Sequence, residues 1–223
     1  MSEQLFDNAE VLARYAARRV AELCSDAVAI NGVCHLVLAG GSTPKRCYEL
    51  LRDMELPWES LHIWFGDERC LPVGHGERND TMADAALLNH VPVPSEQIHC
   101  MPAELGPESA AEAYAELLAT APVMDIVLLG MGEDGHTASL FPGNPALQDT
   151  RSAVPVHDSP KPPSERVSLG YGVLNAASHR ILMVTGKGKA EALARIRAGE
   201  ALPIAAIADG EWLIDRDAMG AIV

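Results

Sequence analysis

The stretch DIVLLGMGEDGHTASLFPG, residues 125–143, joins an apolar run to a glycine-rich turn. Residues 125–129 have the length and composition of a strand buried in a parallel sheet, because short apolar runs bounded by glycine are typical of such strands. Three other apolar runs have the same form and are also followed by glycine and polar side chains. They lie at residues 35–39, 61–65 and 179–184.

Helical patterns fill the intervals between these runs, with apolar residues at steps of three and four. The predicted helices lie at 4–27, 80–88 and 108–118, after the turn at 40–44, and from 189 through 195. Strands that alternate with helices predict an α/β fold, with a mostly parallel open sheet and helices on both faces. The sequence contains no internal repeat or low-complexity linker, so we expect one domain over residues 1–223.

The remaining segments are shorter or irregular. Proline and polar residues over 142–165 predict a long excursion over the surface, a kind of loop that is often functional. Further short strands are expected at 167–169, 204–208 and 211–214. In open α/β sheets the ligand binds at the carboxyl ends of the strands, so we expect the glycine turns to converge on one site.

Composition excludes several classes of protein. The 223 residues include 17 Lys and Arg and 31 Asp and Glu, a net charge of −14. A chain without a basic run lacks the footprint of a nucleic-acid-binding protein. No apolar stretch approaches 18 residues, and the acidic N-terminus has no apolar signal region, so we predict no membrane span and a cytoplasmic location.

The cysteines indicate neither disulfides nor a metal. Their number, five, is odd and none form a CxxC pair, which is typical of reduced thiols in a cytosolic protein. The sequence shows neither clustered metal ligands nor a dinucleotide-binding fingerprint. We therefore expect a protein without a metal or other cofactor.

The turn after residue 129 contains a candidate catalytic pair. His136 follows a buried strand instead of lying on the apolar face of a helix, where a structural histidine is normally found. An imidazole accepts a proton near neutral pH, which a general base requires. Asp134 is two residues away and is expected to orient or polarise His136. The other seven histidines have no comparable context, and we interpret them as structural.

The turn GGSTP at 40–44 is a candidate phosphate site. Gly41 allows close approach of the backbone, Ser42 and Thr43 offer hydroxyls, and Pro44 suits a first helical turn because it needs no N–H. Free N–H groups and the helix dipole then face an anion. A tight turn with a helix cap is the alternative that the sequence leaves open.

Two further turns carry cations. In GDER at 66–69, Arg69 has the forked geometry that binds phosphate, and Asp67 is placed to position it or to contact hydroxyls. In TGKGKA at 185–190, Lys187 or Lys189 is placed to contact an anion. A surface ion pair and a solvated helix start are the respective alternatives.

Together these motifs resemble the 6-phosphogluconolactonase family. The resemblance covers nearly the whole chain in the family's order, and the segment GEDGHTASLFPG is its most specific part. The matching stretches are LAGGSTPKRCYELL at 38–51, WFGDERCLP at 64–72, residues 125–143, PPSERVSLG at 162–170 and TGKGKAEAL at 185–193. The resemblance implies a NagB/RpiA-like fold and a metal-free lactonase of the oxidative pentose phosphate pathway. Its substrate would be a sugar-phosphate lactone, opened by water.

The resemblance also implies roles for individual residues. His136 matches the base that activates water, and Arg69 matches a position that contacts phosphate. Lys189 fits the second such position better than its neighbour Lys187. Arg166 matches an arginine that binds the substrate or stabilises the oxyanion. The segment 41–43 matches the loop that contacts phosphate and sugar.

Two departures bear on these assignments. Many family members carry Ser-Asn where this chain has Arg78-Asn79, which puts substrate contacts of that loop in doubt. Glucosamine-6-phosphate deaminases carry a Glu between the Phe and the Pro-Gly of this region. Here Phe141 is followed directly by Pro142, which favours a lactonase.

Several alternatives remain open. A related deaminase or isomerase would release ammonia or interconvert sugar phosphates, and a non-catalytic sugar-phosphate-binding module would bind its ligand without turnover. Either a monomer or a homodimer is compatible with the sequence. Because the chain is strongly acidic, an anionic substrate requires a locally positive pocket on an otherwise negative surface.

Overall fold

The computed structural model describes residues 2–220 as ten strands and seven α-helices. The strands are β1 Ser2–Phe6, β2 Cys34–Leu38, β3 Leu61–Phe65, β4 Asp67–Arg69, β5 Ile98–His99, β6 Ile126–Gly130, β7 Ala153–Val156, β8 Arg166–Leu169, β9 His179–Val184 and β10 Glu211–Asp215. The helices are α1 Ala9–Asn31, α2 Ser42–Leu51, α3 Asn79–Ala86, α4 Pro107–Ala119, α5 Tyr171–Ala176, α6 Ala190–Arg197 and α7 Arg216–Met219.

Seven strands form a parallel sheet in the order β1-β10-β9-β6-β2-β3-β5. All five residues of β2 are buried, as are the first four of β6. Strands buried in this way are continuous apolar runs, which explains why the sequence pattern identified them. The prediction of a mostly parallel α/β sheet with helices is confirmed, whereas a single domain over 1–223 stays a prediction.

A second, antiparallel sheet joins β4, β8 and β7. It begins where the parallel sheet ends, because β4 follows β3 after the single residue Gly66. The amide of Gly66 donates to the carbonyl of Leu38 (2.9 Å), and its carbonyl accepts from the amide of Leu169 (2.8 Å). The small sheet is thereby fixed at the carboxyl ends of β2 and β3.

The predicted helix at 4–27 is wrong at its start. Residues 2–6 pair with β10 as a parallel edge strand, and α1 begins only at Ala9. The side chain of Asn8 accepts the amide of Val11 (3.0 Å) and caps the helix. The apolar steps from Leu5 onward continue the helical period by coincidence, since Leu5 is 53% exposed on β1.

Two further expectations need correction. The predicted strand at 204–208 is wrong, because Pro203–Ala206 forms a 3-10 turn. There the amide of Ile204 donates to the carbonyl of Gly135 (3.1 Å), which packs this turn beneath the glycine-rich loop. The expected excursion at 142–165 contains the 3-10 turn Pro145–Gln148 and the strand β7. Within residues 2–220, the helices lack the combination of length and apolar character that crossing a bilayer requires.

Candidate active site

A cavity of about 490 Å³ opens at the carboxyl ends of β2, β6 and β9. Its wall is built by segments that are distant in the sequence. They are residues 39–44, Asp67 and Arg69, Asn79, residues within 130–138, residues within 161–166, and residues within 183–189. The topological rule for parallel α/β sheets therefore places the glycine turns at one site, as the sequence predicts.

His136 and Asp134 form a close pair at this cavity. Nδ1 of His136 lies 2.5 Å from Oδ1 of Asp134, which also accepts the backbone amide of His136 (3.2 Å). Burial alone would raise the pKa of Asp134, but the hydrogen bond and charge of His136 outweigh it and bring that pKa to about 2. Asp134 is therefore a carboxylate at neutral pH and holds the proton of His136 on Nδ1. This leaves Nε2 as the base nitrogen.

Glycine is required beneath this pair. A Cβ on Gly132 would overlap the imidazole of His136 and the carboxylate of Asp134. Gly135 has φ +82, a conformation that side chains disfavour, and its amide donates to the carbonyl of Gly132 (3.0 Å). The ring of Phe141 supports the other side of His136, with 4.3 Å between ring centroids.

The turn at 40–44 presents the start of α2 to the cavity. Gly41, with φ +105, precedes the helix and provides no side-chain cap. The first amides of α2 thus lack a side-chain partner in the described chain, which favours the anion site over the capped turn. Oγ1 of Thr43 lies 2.6 Å from Oγ1 of Thr185, so this turn is tied to the turn after β9.

Asp67 is held rigidly at the cavity wall. Its Oδ1 accepts from Nδ2 of Asn79 (3.1 Å), and its Oδ2 accepts from the hydroxyl of Ser139 (2.5 Å). Arg69 lies beside it and donates through Nη1 to the carbonyl of Glu77. Nε of Arg69 is buried and has no hydrogen-bond partner within residues 2–220. Asp67 is thus fixed by protein groups, while Arg69 keeps donor capacity for a ligand.

The Arg78-Asn79 departure has a structural explanation. Arg78 is buried and faces the interior, where it donates to the carboxylates of Asp80 (2.6 Å) and Glu104 (3.0 Å). Asn79, not Arg78, lines the cavity. Glu68 lies below and accepts the backbone amide of Asn79 (2.7 Å). Burial raises the pKa of Glu68 to about 7, against the opposing effect of its backbone hydrogen bonds.

The remaining predicted cations differ in position. Arg166 lines the cavity and is buried, with its guanidinium 5.4 Å from the ring centre of Phe141. Lys189 also lines the cavity, and burial lowers its pKa. Lys187 is exposed and lies outside the lining. The position of the side chains therefore favours Lys189 over Lys187.

The structure brings most of the predicted residues together. Those that line the cavity are Gly41, Ser42, Thr43, Asp67, Arg69, His136, Arg166 and Lys189. Asp134 reaches it through His136. Sequence reasoning missed Lys161 and Thr185, although Thr185 opens the quoted TGKGKA segment and Lys161 immediately precedes PPSER.

The cavity is more positive than the chain as a whole. Four cationic side chains line it, from Arg69, Lys161, Arg166 and Lys189, against the single carboxylate of Asp67. This agrees with the expected positive pocket in an acidic protein. Among residues 2–220, His, Cys, Asp and Glu form no group of three or more suited to a metal ion.

Comparisons with known proteins agree on one family. A family profile described as "Glucosamine-6-phosphate isomerases/6-phosphogluconolactonase" matches residues 7–214. The chain is similar to the 6-phosphogluconolactonase of Mycobacterium tuberculosis, with 38% identity over 97% of this chain and 96% of that protein. It is 41% identical to the 6-phosphogluconolactonase of Streptomyces coelicolor, over 92% and 88% of the two chains. A crystal structure of 6-phosphogluconolactonase from Thermotoga maritima superposes with a TM-score of 0.89 at 25% identity, covering 96% and 99% of the respective chains.

Proposed function

The chain belongs to the glucosamine-6-phosphate isomerase/6-phosphogluconolactonase family, and we propose that it hydrolyses 6-phospho-D-glucono-1,5-lactone to 6-phospho-D-gluconate. This is the lactonase step of the oxidative pentose phosphate pathway. The observation that carries the proposal is the His136–Asp134 pair in a cavity lined by four cations. The lactonase relatives, which match nearly the full length of the chain, support the same substrate.

His136 is the proposed general base. Asp134 holds its Nδ1 proton, so that Nε2 takes a proton from water as the water attacks the lactone carbonyl. A lactone carbonyl is already electrophilic, and general base catalysis typically contributes about 10²–10⁴ in rate. A C–O bond forms between water and the carbonyl carbon. The tetrahedral intermediate then collapses as the bond from this carbon to the ring oxygen breaks. The ring oxygen takes the proton held on His136 and leaves as a hydroxyl.

The phosphate of the substrate is the proposed anchor. We assign it to the start of α2, with Gly41, Ser42 and Thr43, and to the cations Arg69 and Lys189. Because the phosphate is remote from the carbonyl, its binding energy fixes the sugar ring against His136. Asp67 is the proposed acceptor for sugar hydroxyls, since protein groups already hold both of its oxygens in place.

We propose that the main role of Arg166 is to hold the loop at 161–163 in place, and that substrate contact is secondary. Its Nε donates to the carbonyl of Pro163, and Nη2 donates to the carbonyls of Lys161 and Pro162, each at 3.1 Å. Only Nη1 is left for a ligand or for the oxyanion. The direct substrate contact that the family resemblance implies for Arg166 can therefore be made only by Nη1.

The alternative activities are less well supported. The deaminase alternative requires an acid that this chain lacks between Phe141 and Pro142. A non-catalytic binding module would have no use for a histidine oriented by a half-buried carboxylate. We further propose a cytoplasmic enzyme, a monomer or homodimer, that needs no cofactor.

The test is a pair of product assays on the wild-type protein. The lactone is generated in place from glucose 6-phosphate, and acid release is followed against spontaneous hydrolysis. Ammonia release from glucosamine 6-phosphate is measured in parallel. Accelerated lactone hydrolysis without ammonia supports the proposal, and ammonia release without accelerated hydrolysis overturns it.

A further inference from the structure

Two lysines line the cavity, and neither forms an ion pair with a carboxylate of residues 2–220. Lys189 follows the turn after β9, whereas Lys161 comes from the segment before β8. In residues 2–220 both lysines form hydrogen bonds through their own backbone atoms, and neither ammonium group takes part in one. Burial lowers the pKa of Lys189; the charge of Glu133 opposes this shift, and the like charge of Lys161 adds to it.

This arrangement is unusual in a chain with a net charge of −14. Acidic residues are abundant, yet the nearby carboxylates of Glu133 and Asp134 form no ion pair with either lysine, and Asp134 is engaged with His136. Two like charges in one cavity repel each other, and an anion bound between them removes this repulsion. A phosphate monoester carries about −1.5 to −2 charges near pH 7 and offers three acceptor oxygens, enough for both ammonium groups.

Hydrogen bonds hold the backbone around Lys161, so the segment that carries this lysine is a fixed part of the cavity wall. Arg166, with 4% of its surface exposed, donates to the carbonyls of Lys161, Pro162 and Pro163. The hydroxyl of Ser159 donates to the Lys161 carbonyl (2.9 Å) and accepts its amide (3.2 Å). Arg166 thereby holds the segment that carries Lys161 against the cavity.

The location also distinguishes the phosphate end from the carbonyl end of a substrate. Lys189 follows the same turn as Thr185, whose hydroxyl lies 2.6 Å from that of Thr43 in the first turn of α2. Lys189 is therefore grouped with the exposed amides of a helix N-terminus, which favour phosphate, and Lys161 lines the same cavity.

We propose that Lys161 is a phosphate-binding residue that, together with Lys189, makes the enzyme select phosphorylated lactones over unphosphorylated ones, and that Arg166 positions it. The identity of the substrate rests on the proposed function. The assignment of phosphate to Lys161 rests on the lysine pair itself, and binding measurements test it without turnover.

The experiment compares wild type with Lys161→Met, Lys161→Arg and the control Lys45→Met. Lys45 is an exposed lysine of α2 outside the cavity lining, so its replacement removes the same charge elsewhere. Calorimetry first measures the dissociation constants of 6-phosphogluconate and gluconate. We expect Lys161→Met to weaken 6-phosphogluconate binding about 10-fold or more, with Lys161→Arg within about 3-fold of wild type, because charge-assisted contacts to phosphate are strong.

Kinetics then separate binding from chemistry. For the phosphorylated lactone we expect KM to rise about 10-fold in Lys161→Met while kcat stays within about 3-fold, since a remote contact acts in ground and transition states alike. For glucono-1,5-lactone, which lacks the phosphate, kcat/KM should equal that of wild type. Arg166→Lys, which cannot donate to three carbonyls in the same geometry, should raise KM for the phosphorylated lactone in the same way.

Unchanged 6-phosphogluconate binding in a folded Lys161→Met variant would overturn the proposal. Equal losses for the phosphorylated and unphosphorylated lactones would also overturn it, because they would place Lys161 at the carbonyl or in the scaffold. Lys161→Gln repeats the measurement, so a folding defect in one variant does not decide the result. A wild-type protein that binds 6-phosphogluconate but hydrolyses no lactone would refute the proposed function alone, and Lys161 would still be judged by binding.

Discussion

Replacement of Asp134 by Asn tests how His136 is activated. The substitution keeps the size of the side chain and removes the charge that faces Nδ1 of His136 at 2.5 Å. An amide in that place can donate to Nδ1 as well as accept from it. Donation would put the proton of the imidazole on Nε2, the nitrogen that must accept a proton from water.

The free energy of coupling between Asp134 and His136 follows from the pKa of Asp134. Burial opposes the shift, yet the interaction with His136 brings this pKa from 3.8 to about 2. Each pKa unit corresponds to about 1.4 kcal/mol. The Asp134 side chain is 33% exposed, so screening by water reduces the coupling to roughly 1–2 kcal/mol.

The same coupling stabilises the imidazolium that forms when His136 accepts a proton. Loss of this coupling lowers kcat by about 5–30-fold, and the wrong tautomer adds to this, so we expect a total loss of about 100-fold. KM should change little, because Asp134 does not line the cavity.

The assay measures kcat and KM of Asp134→Asn for the phosphorylated lactone, with Glu133→Gln as the matched control. Glu133 is the exposed neighbour of Asp134, so the control removes one carboxylate without touching His136. We expect the control to stay within about 2-fold of wild type, as is usual for exposed charges. If Asp134→Asn retained the wild-type kcat in a folded protein, the proposed orientation of the base would be refuted.

Three further predictions concern packing and charge. Gly132→Ala should lower kcat/KM by about 100-fold, since a Cβ there displaces the ring of His136; retention of activity within about 3-fold would contradict this. Burial and neighbouring histidines lower the pKa of His99 to about 4, and burial lowers that of His35. Both bind protons more tightly in the unfolded chain, so the free energy of unfolding, measured in urea, should fall by on the order of 2 kcal/mol between pH 7 and 4. An identical fall in His99→Gln would contradict the assignment to that residue. Arg78→Ala should destabilise the fold by about 3–5 kcal/mol in urea, because it leaves buried carboxylates unpaired; a loss below about 1 kcal/mol would refute this.

The buried parallel strands were predictable because their signal is local. The run at 125–129 is apolar throughout and is closed by glycine, so composition alone identifies β6. The edge strand β1 lacks this signal. It is paired on one side and half exposed, and its apolar residues continue the period of α1. Only the pairing with β10, which lies about 200 residues away in the sequence, distinguishes a strand there.

The candidate site was predictable to the extent that motifs follow strands. Topology brings such turns together, so His136, Arg69 and one of the two lysines Lys187 and Lys189 could be named in advance. Lys161 could not, because it lies within the loop between β7 and β8, where hydrogen bonds from Ser159 and Arg166 hold it at the cavity. Likewise, no local pattern shows that Arg78 faces inward.

Lactone hydrolysis by wild type and by His136→Ala, measured side by side, is the most direct test of the central claim. We predict that wild type accelerates hydrolysis of the phosphorylated lactone over the spontaneous rate. His136→Ala should lose about 10²–10⁴ of that rate while it keeps its fold and binds 6-phosphogluconate. Undiminished hydrolysis by a folded His136→Ala protein would contradict the claim that His136 activates the water.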